Sequence, residues 1–217
     1  MARSSRESAI RYPITAILGV DSNTRVLRVL SLHGGMLASN EIVRKSRLVP
    51  ESVRKALIDL VSLGIVSSSG AGRSRVYCLN ADHYFSSALS NLFKAESDRF
   101  TAILEAVRQS AAGEPFFSLF YYGSVARGED RRDSDLDIGI VAQADELASI
   151  VERIREELRD ASQRFGFLPN VVGLDFADIE RLDKDSDPWW KSVISEAIVL
   201  SGKRPEDAIG FNGEGRG

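Results

Sequence analysis

Two aspartates follow a glycine–serine pair within the segment YYGSVARGEDRRDSDLDIGIV, and these residue types bind cations and phosphates. Asp135 and Asp137 are two residues apart on a predicted strand, so their side chains should point to the same face. Two carboxylates on one face can jointly hold a hard divalent cation such as Mg²⁺. The apolar residues that alternate with them, beginning with Leu136, should point into a core. The segment therefore predicts a cation site on one face of this strand.

The glycine–serine pair itself has the features of a phosphate-binding turn. Gly123 ends a predicted strand, and its lack of a side chain lets a phosphate approach the backbone closely. A short helix should begin here, and its N-terminus would offer free N–H groups and the positive end of a dipole. The Ser124 hydroxyl adds a donor, while Arg127 could face the same phosphates or brace the acidic loop. Two metal ions held between the aspartates and a polyphosphate would activate an attacking oxygen and stabilise a leaving pyrophosphate.

The complete pattern is specific enough to suggest a family. It reads Gly123-Ser124, then Ala126-Arg127-Gly128, then Ser134-Asp135-Leu136-Asp137 before an apolar strand. This closely resembles the DNA polymerase beta-like nucleotidyltransferase superfamily, in particular its minimal bacterial branch, over roughly residues 115–200. The resemblance implies transfer of a nucleoside monophosphate from a nucleoside triphosphate, with two Mg²⁺ ions held by the aspartates. The residues that it implies for nucleotide binding are Gly123, Ser124, Arg127 and Ser134.

Active members of that superfamily use a third carboxylate on a following strand, and Asp175 is the candidate here. Strand alternation would put Gly173 and Asp175 on one face, and Gly139 lies two residues after Asp137. Both glycines could leave room beside the carboxylates. Asp135, Asp137 and Asp175 are thus the predicted catalytic and metal-binding set. If Asp175 is not a ligand, the alternative is a domain that binds nucleotides without transferring them.

The elements around this motif predict an α+β domain with a mixed sheet. Three strand-like runs cover Phe116 to Tyr122, Leu136 to Val141 and Val171 to Phe176. A strongly amphipathic helix is predicted from Asp145 to Phe165, and a final helix from Pro188 to Leu200. The aromatic residues of the first strand are expected to pack in the core, with Tyr122 as the one that adjoins the site.

The first third of the chain has a different charge and a different pattern. Residues 1–80 hold 12 Lys+Arg and 5 Asp+Glu, a net of +7, whereas residues 81–217 hold 16 and 26, a net of −10. Helical spacing begins near Asn23, and further helices are predicted from Glu41 to Ser46 and from Glu51 to Gly64. Strands at 65–68 and 73–79 follow, joined by a glycine-rich tip. Three helices and a hairpin in this order resemble a winged helix-turn-helix domain.

That resemblance implies a DNA partner for the basic part of the chain. The third helix would enter the major groove, and the wing would contact phosphates or the minor groove. The candidate DNA-binding residues are Arg44, Lys45, Arg54, Lys55, Arg73 and Arg75. The alternatives are that these cations only solvate a small domain, or that the domain binds another protein. The local excess of positive charge favours DNA.

The domain organisation follows from these two patterns. We expect a winged helix-turn-helix domain at residues 14–80, a helical connector at 81–113 and a nucleotidyltransferase domain at 114–204. The composition, 43% hydrophobic and 27% charged, is that of a globular protein, and no apolar run approaches the roughly 20 residues of a membrane helix. With Cys78 as the lone cysteine and no recognisable signal peptide, a reducing cytoplasm is the expected location.

Two functions are compatible with this organisation. The first is a DNA-binding transcriptional regulator whose Mg²⁺-dependent nucleotidyltransferase domain binds a nucleoside triphosphate and transfers a nucleotide to a protein or RNA acceptor. The second is a non-catalytic nucleotide-sensing regulator, or an antitoxin-like component of a toxin–antitoxin system by analogy. A homodimer would suit either one, because winged helices often read paired half-sites. Membrane binding is not expected.

Overall fold

The computed structural model describes residues 10–210, and for Arg73 it describes the backbone only. The chain divides into two compact units, Met1–Asp98 and Arg99–Gly217. The division falls inside a long helix that the sequence predicts as part of a connector.

The first unit is built from helices that enclose one apolar core. Its helices are α1 (Pro13–Leu18), α2 (Asp21–His33), α3 (Ser39–Ser46) and α4 (Pro50–Ser62), and the beginning of α5 (Ser86–Ser110) completes it. The three helices predicted between residues 23 and 64 are confirmed as α2, α3 and α4. Their apolar stripes meet in the core, where Val26, Ile42 and Leu60 are fully buried. The sequence pattern had not indicated α1, which begins at a proline and is only six residues long.

A small antiparallel sheet closes the first unit. Its strands are β1 (Leu37–Ala38), β2 (Val66–Ser69) and β3 (Val76–Leu79), in the order β1-β3-β2. The predicted hairpin is confirmed, with Val66 opposite Leu79 and Ser69 opposite Val76. The hairpin tip contains a short 3₁₀ turn at Gly72–Ser74, so the second strand begins later than the sequence suggested.

The second unit contains a four-stranded sheet. Its strands are β4 (Ser118–Tyr122), β5 (Leu136–Val141), β6 (Pro169–Leu174) and β7 (Ile198–Gly202), in the order β6-β5-β4-β7. β5 and β6 are parallel, whereas β4 is antiparallel to both β5 and β7. The expectation of a mixed sheet is therefore confirmed. The sheet places the starts of β5 and β6 beside the end of β4.

Helices cover both faces of this sheet. One face packs against the end of α5 and against α7 (Ala144–Phe165), and its core includes Ile138 and Ile140 of β5. The other face packs against α8 (Phe176–Lys184) and α9 (Pro188–Glu196), with Phe120 and Trp190 fully buried. The short helix α6 (Gly123–Arg127) lies between β4 and β5 in the chain.

Two predictions about the second unit are wrong at their ends. The last predicted helix, Pro188 to Leu200, ends at Glu196, because Ala197 is extended and the apolar run after it forms the edge strand β7. The predicted strand from Val171 to Phe176 ends at Leu174 instead, because α8 begins at Phe176. Neither α8 nor β7 was expected from the sequence.

Within the described residues, every helix is too short or too polar to cross a lipid bilayer.

Candidate functional site

The predicted site centres on a close approach between Gly123 and Asp137. Gly123 follows β4 with a φ of +75°, a backbone conformation that glycine adopts most readily. A Cβ atom built on Gly123 would lie 2.6 Å from Oδ2 of Asp137, closer than two such atoms can come. The Asp137 carboxylate therefore faces the glycine–serine turn directly, as the sequence pattern predicts.

Asp137 also lies at the middle of a row of three side chains across the sheet. Tyr122 is its antiparallel partner on β4, and Asn170 is its parallel partner on β6. The Asn170 amide nitrogen donates a hydrogen bond of 2.9 Å to Oδ1 of Asp137. Burial, and then the charge of Asp137, raises the pKa of Tyr122 to about 12, so its hydroxyl stays protonated. The row holds one carboxylate between two neutral polar groups.

Asp135 lies just before β5 and is exposed. Burial alternates along this segment, since Leu136 and Ile138 are buried whereas Asp137 is half-buried. The alternation agrees with Asp135 and Asp137 sharing the face opposite the α5–α7 core.

Ser124 and Arg127, the two other predicted site residues of α6, have different surroundings. Ser124 is half-buried in the first turn of α6, next to Gly123. Arg127, at the end of α6, donates to Glu129 at 2.8 Å and to Glu196 of α9 at 2.5 Å. The hydrogen bond to Glu129, and then that to Glu196, raises the pKa of Arg127. Arg127 is thus engaged in bracing α6 and the loop, the second of the two roles that the sequence allowed.

Ser134, also predicted to bind nucleotide, holds the loop before β5. Its hydroxyl oxygen accepts a hydrogen bond of 2.9 Å from the backbone N–H of Arg131. Ser134 also lines a cleft of about 530 Å³ together with Leu136, whose side chain points away from Asp137. Neither Asp135 nor Asp137 lines this cleft.

The structure does not bring Asp175 together with Asp137. Asp137 is paired with Asn170 near the start of the two parallel strands, whereas Val141 is paired with Leu174 at their far end, and Asp175 follows Leu174. Oδ1 of Asp175 accepts a hydrogen bond of 2.7 Å from the backbone N–H of Asp178 and caps the N-terminus of α8. Asp175 thus lies at the opposite end of the sheet from the glycine–serine turn.

The two glycines expected to leave room beside the carboxylates serve the core instead. A Cβ on Gly139 would lie 2.1 Å from the Phe120 ring, and one on Gly173 would lie 2.8 Å from Val151 of α7. Both positions therefore lack a side chain because large apolar groups occupy that space. This expectation from the sequence is wrong, and it removes one argument for pairing Asp175 with Asp137.

The two aspartates suit a hard divalent cation that takes its remaining oxygen ligands from a bound phosphate compound. Asp137 provides carboxylate oxygens beside the turn, Asp135 lies two residues before it, and Mg²⁺ is commonly held by one or two carboxylates plus substrate phosphates. The described residues contain no group of three or more His, Cys, Asp or Glu side chains that could hold a metal ion. The two aspartates would therefore hold the ion only together with phosphate and water oxygens.

The comparisons with known proteins agree with this geometry. Residues 103–187 match the family model described as Nucleotidyltransferase domain. The matched stretch contains the glycine–serine turn, both aspartates and Asn170, and it supports nucleotidyl transfer as the broad function of this domain. It covers less than half of the chain, and it leaves out the first unit. No curated protein matches the sequence.

Asn170 is the residue of the nucleotidyltransferase domain that sequence reasoning missed. The predicted strand began at Val171, because Pro169 and Asn170 precede the apolar run. Asparagine is also rare in strands and common in turns, so its type gave no indication of a site. Only the register of β5 and β6, which places Asn170 beside Asp137, could have revealed it.

The predicted DNA-binding residues of the first unit are exposed wherever their side chains are described. Arg44 and Lys45 lie in the last turn of α3, and Arg75 lies just before β3. Arg54 and Lys55 lie on the outer side of α4, opposite the buried residues of that helix. The side chain of Arg73 is outside the described part of the structure.

Glu51 pairs with the two basic side chains of α4, Arg54 and Lys55. Arg54 donates to its carboxylate through two hydrogen bonds of 2.8 and 2.7 Å, and Nζ of Lys55 lies 3.7 Å from Oε1. The hydrogen bond from Arg54 is the main reason why the pKa of Glu51 is lowered to about 2. Any phosphate that binds at Arg54 must compete with this internal carboxylate.

Proposed function

We propose that the nucleotidyltransferase domain binds a nucleoside triphosphate together with Mg²⁺, between the glycine–serine turn and Asp135 with Asp137, and transfers the nucleoside monophosphate to a protein or RNA acceptor with release of pyrophosphate. The observation that carries this proposal is the contact between Gly123 and Asp137, where a Cβ atom would lie 2.6 Å from the carboxylate. A carboxylate held this close to the turn could bind a cation beside a phosphate that accepts hydrogen bonds from the backbone N–H groups of the turn. No other arrangement among the described acidic residues has this feature next to a strand-end turn.

Each residue has a role that its position supports. Gly123 gives the phosphates access to the backbone, and Ser124 adds a hydroxyl donor beside it. Asp135 and Asp137 hold the cation, which would neutralise phosphate charge when it is bound. Arg127 keeps α6 in place through Glu129 and Glu196, so the turn keeps its position beside Asp137.

Label transfer tests this proposal. A nucleoside triphosphate labelled at the α-phosphate would be incubated with the protein, MgCl₂, and mixtures of candidate protein and RNA acceptors. Transfer should be lost in Asp137→Ala and kept in Asp160→Ala, because Asp160 is an exposed carboxylate on α7 with no part in the row. Equal transfer by the two variants would remove Asp137 from the mechanism.

A second candidate is nucleotide binding without transfer. It is favoured by the position of Asp175 at the far end of the sheet, together with the neutral Asn170 beside Asp137. In the same assay, this function gives Asp137-dependent nucleotide binding by equilibrium dialysis but no labelled acceptor. The two candidates share the site and differ only in whether the bound nucleotide reacts.

We also propose that the first unit is a winged helix-turn-helix domain that binds DNA and makes the chain a transcriptional regulator. Three helices followed by the β2–β3 hairpin support this proposal, as does the net charge of +7 over residues 1–80. In this arrangement α4 is the helix that would enter the major groove, with Arg54 and Lys55 on its exposed side.

A matched pair of lysine variants tests the DNA-binding surface. Lys55 and Lys94 are both exposed, and each pairs with a carboxylate one helical turn away, at 3.7 and 2.5 Å. Lys55→Ala should weaken binding to duplex DNA and reduce the salt slope by about one, whereas Lys94→Ala should leave both unchanged. Equal effects of the two substitutions would show that α4 is not the binding helix.

A further inference from the structure

The hydrogen bond between Asn170 of β6 and Asp137 of β5 constrains the Asp137 carboxylate as well as linking the two strands. The parallel register places both side chains on the same face, and the bond of 2.9 Å uses one oxygen of the carboxylate, Oδ1. The other oxygen, Oδ2, is the atom that faces Gly123. Asn170 and the turn therefore lie on opposite sides of one carboxylate group.

This arrangement fixes the rotation of the carboxylate. The last torsion of an aspartate is broad, so an isolated carboxylate turns easily about its bond to Cβ. A hydrogen bond from an amide to an ionised oxygen is stronger than one between neutral groups, and it holds that oxygen in place. With Oδ1 held by Asn170, Oδ2 is kept pointing at Gly123.

The amide also limits the charge of the site. Tyr122 is protonated and Asn170 is neutral, so Asp137 is the single charge in the row. Together with Asp135, the site carries two carboxylates. One oxygen of Asp137 already accepts the hydrogen bond from Asn170. A free divalent cation finds few protein ligands here, whereas a cation already bound to phosphates brings further oxygens with it.

We propose that Asn170 is a positioning residue that orients Asp137, and that its neutral amide makes the site accept a divalent cation as its triphosphate complex in preference to the free ion. The choice of ligand rests on the nucleotide binding proposed above. The orientation of Asp137 by Asn170 does not, and it can be tested without any ligand.

Two substitutions at position 170 test the ligand part by calorimetric titration with MnCl₂ alone and with MnATP. Asn170→Ala should weaken MnATP binding by about 10–100-fold, as loss of a hydrogen-bonding partner of a metal ligand does. Asn170→Asp should tighten binding of free Mn²⁺ by about tenfold or more, because it adds a third carboxylate to the site. Unchanged affinities in both variants would overturn the proposal.

An exchange of the two side chains tests the orientation without ligand. In metal-free buffer Asn170→Asp should lower the melting temperature by about 2–8 °C, because two carboxylates would face each other. Asp137→Asn combined with Asn170→Asp restores a donor and an acceptor across the strands, so it should recover most of that loss. Additive effects of the two substitutions would show that the pair is not coupled, and would overturn the positioning role.

The nucleotide function and the positioning role of Asn170 can be overturned independently of each other. If the wild-type protein binds neither MnATP nor free Mn²⁺ but the exchanged pair recovers stability, the proposed nucleotide function is overturned and the orientation of Asp137 by Asn170 stands. If MnATP binds and depends on Asp137 but not on Asn170, the nucleotide function stands and the positioning role is overturned.

Discussion

Gly123 and Asp137 are so close that position 123 has no room for a side chain, since a Cβ atom there would meet Oδ2 at 2.6 Å. Gly123→Ala must therefore displace the carboxylate or the turn, in addition to adopting a left-handed backbone that costs an alanine about 1–2 kcal/mol. We expect a loss of stability larger than the backbone cost alone and a loss of nucleotide affinity of about tenfold or more. Urea unfolding and nucleotide titration measure the two effects.

Gly113 provides the matched control for that substitution. It has a φ of +84°, similar to that of Gly123, but open space where a Cβ would be placed. Gly113→Ala should therefore show the backbone cost without any change in nucleotide binding. Equal losses of stability and affinity at the two positions would mean that the contact with Asp137 has no consequence.

The function of Asp175 can be separated from metal binding by two substitutions. Its carboxylate caps α8 by accepting the backbone N–H of Asp178 at 2.7 Å, and asparagine is as good a capping residue as aspartate. Asp175→Ala should lower the free energy of unfolding by about 0.5–2 kcal/mol, whereas Asp175→Asn should change it little. Both variants should bind MnATP as the wild type does. Loss of MnATP binding in the stable Asp175→Asn variant would show that Asp175 takes part in binding the metal.

Removal of the internal partner of Arg54 should strengthen DNA binding. Glu51→Gln removes the charge that holds Arg54 and Lys55, so phosphates no longer compete with a carboxylate. We expect tighter binding and a salt slope steeper by about one, measured by fluorescence anisotropy over a range of KCl concentrations. Glu96→Gln removes the same charge from α5 and should not alter the slope. A steeper slope in both variants would indicate a general charge effect.

The Glu51 carboxyl should titrate at unusually low pH. The hydrogen bond from Arg54 lowers its pKa from 4.5 to about 2. Because the folded value is the lower one, the stabilisation from this pair is fully present above pH 4.5 and is lost as the pH falls towards 2. Carboxyl ¹³C shifts followed by NMR should show the low midpoint, and Arg54→Ala should raise it towards 4.5. A midpoint near 4.5 in the wild type would contradict the ion pair.

The local patterns of the sequence determined most of the elements. The period-3.6 stripes of α2, α4 and α7 and the apolar run of β5 each carry enough buried residues to define their own type. The sequence also predicted the glycine–serine turn and the two aspartates as one site, because they lie within one short segment. Chain continuity alone brings Gly123 to the end of β4 and Asp137 to the start of β5.

Tertiary structure decided what lies beside Asp137. Asn170 lies on β6 and Asp175 directly follows that strand, and the sequence alone cannot show which of the two comes near Asp137. The parallel register, set by packing of β6 against β5 and α7, brings Asn170 to Asp137 and carries Asp175 to the far end. The edge strand β7 was also beyond sequence reasoning, because its short apolar run continues directly from α9 and gains strand structure only by pairing with β4. Local periodicity thus determines the type of each element, whereas the neighbours of the Asp137 carboxylate depend on contacts between residues distant in the chain.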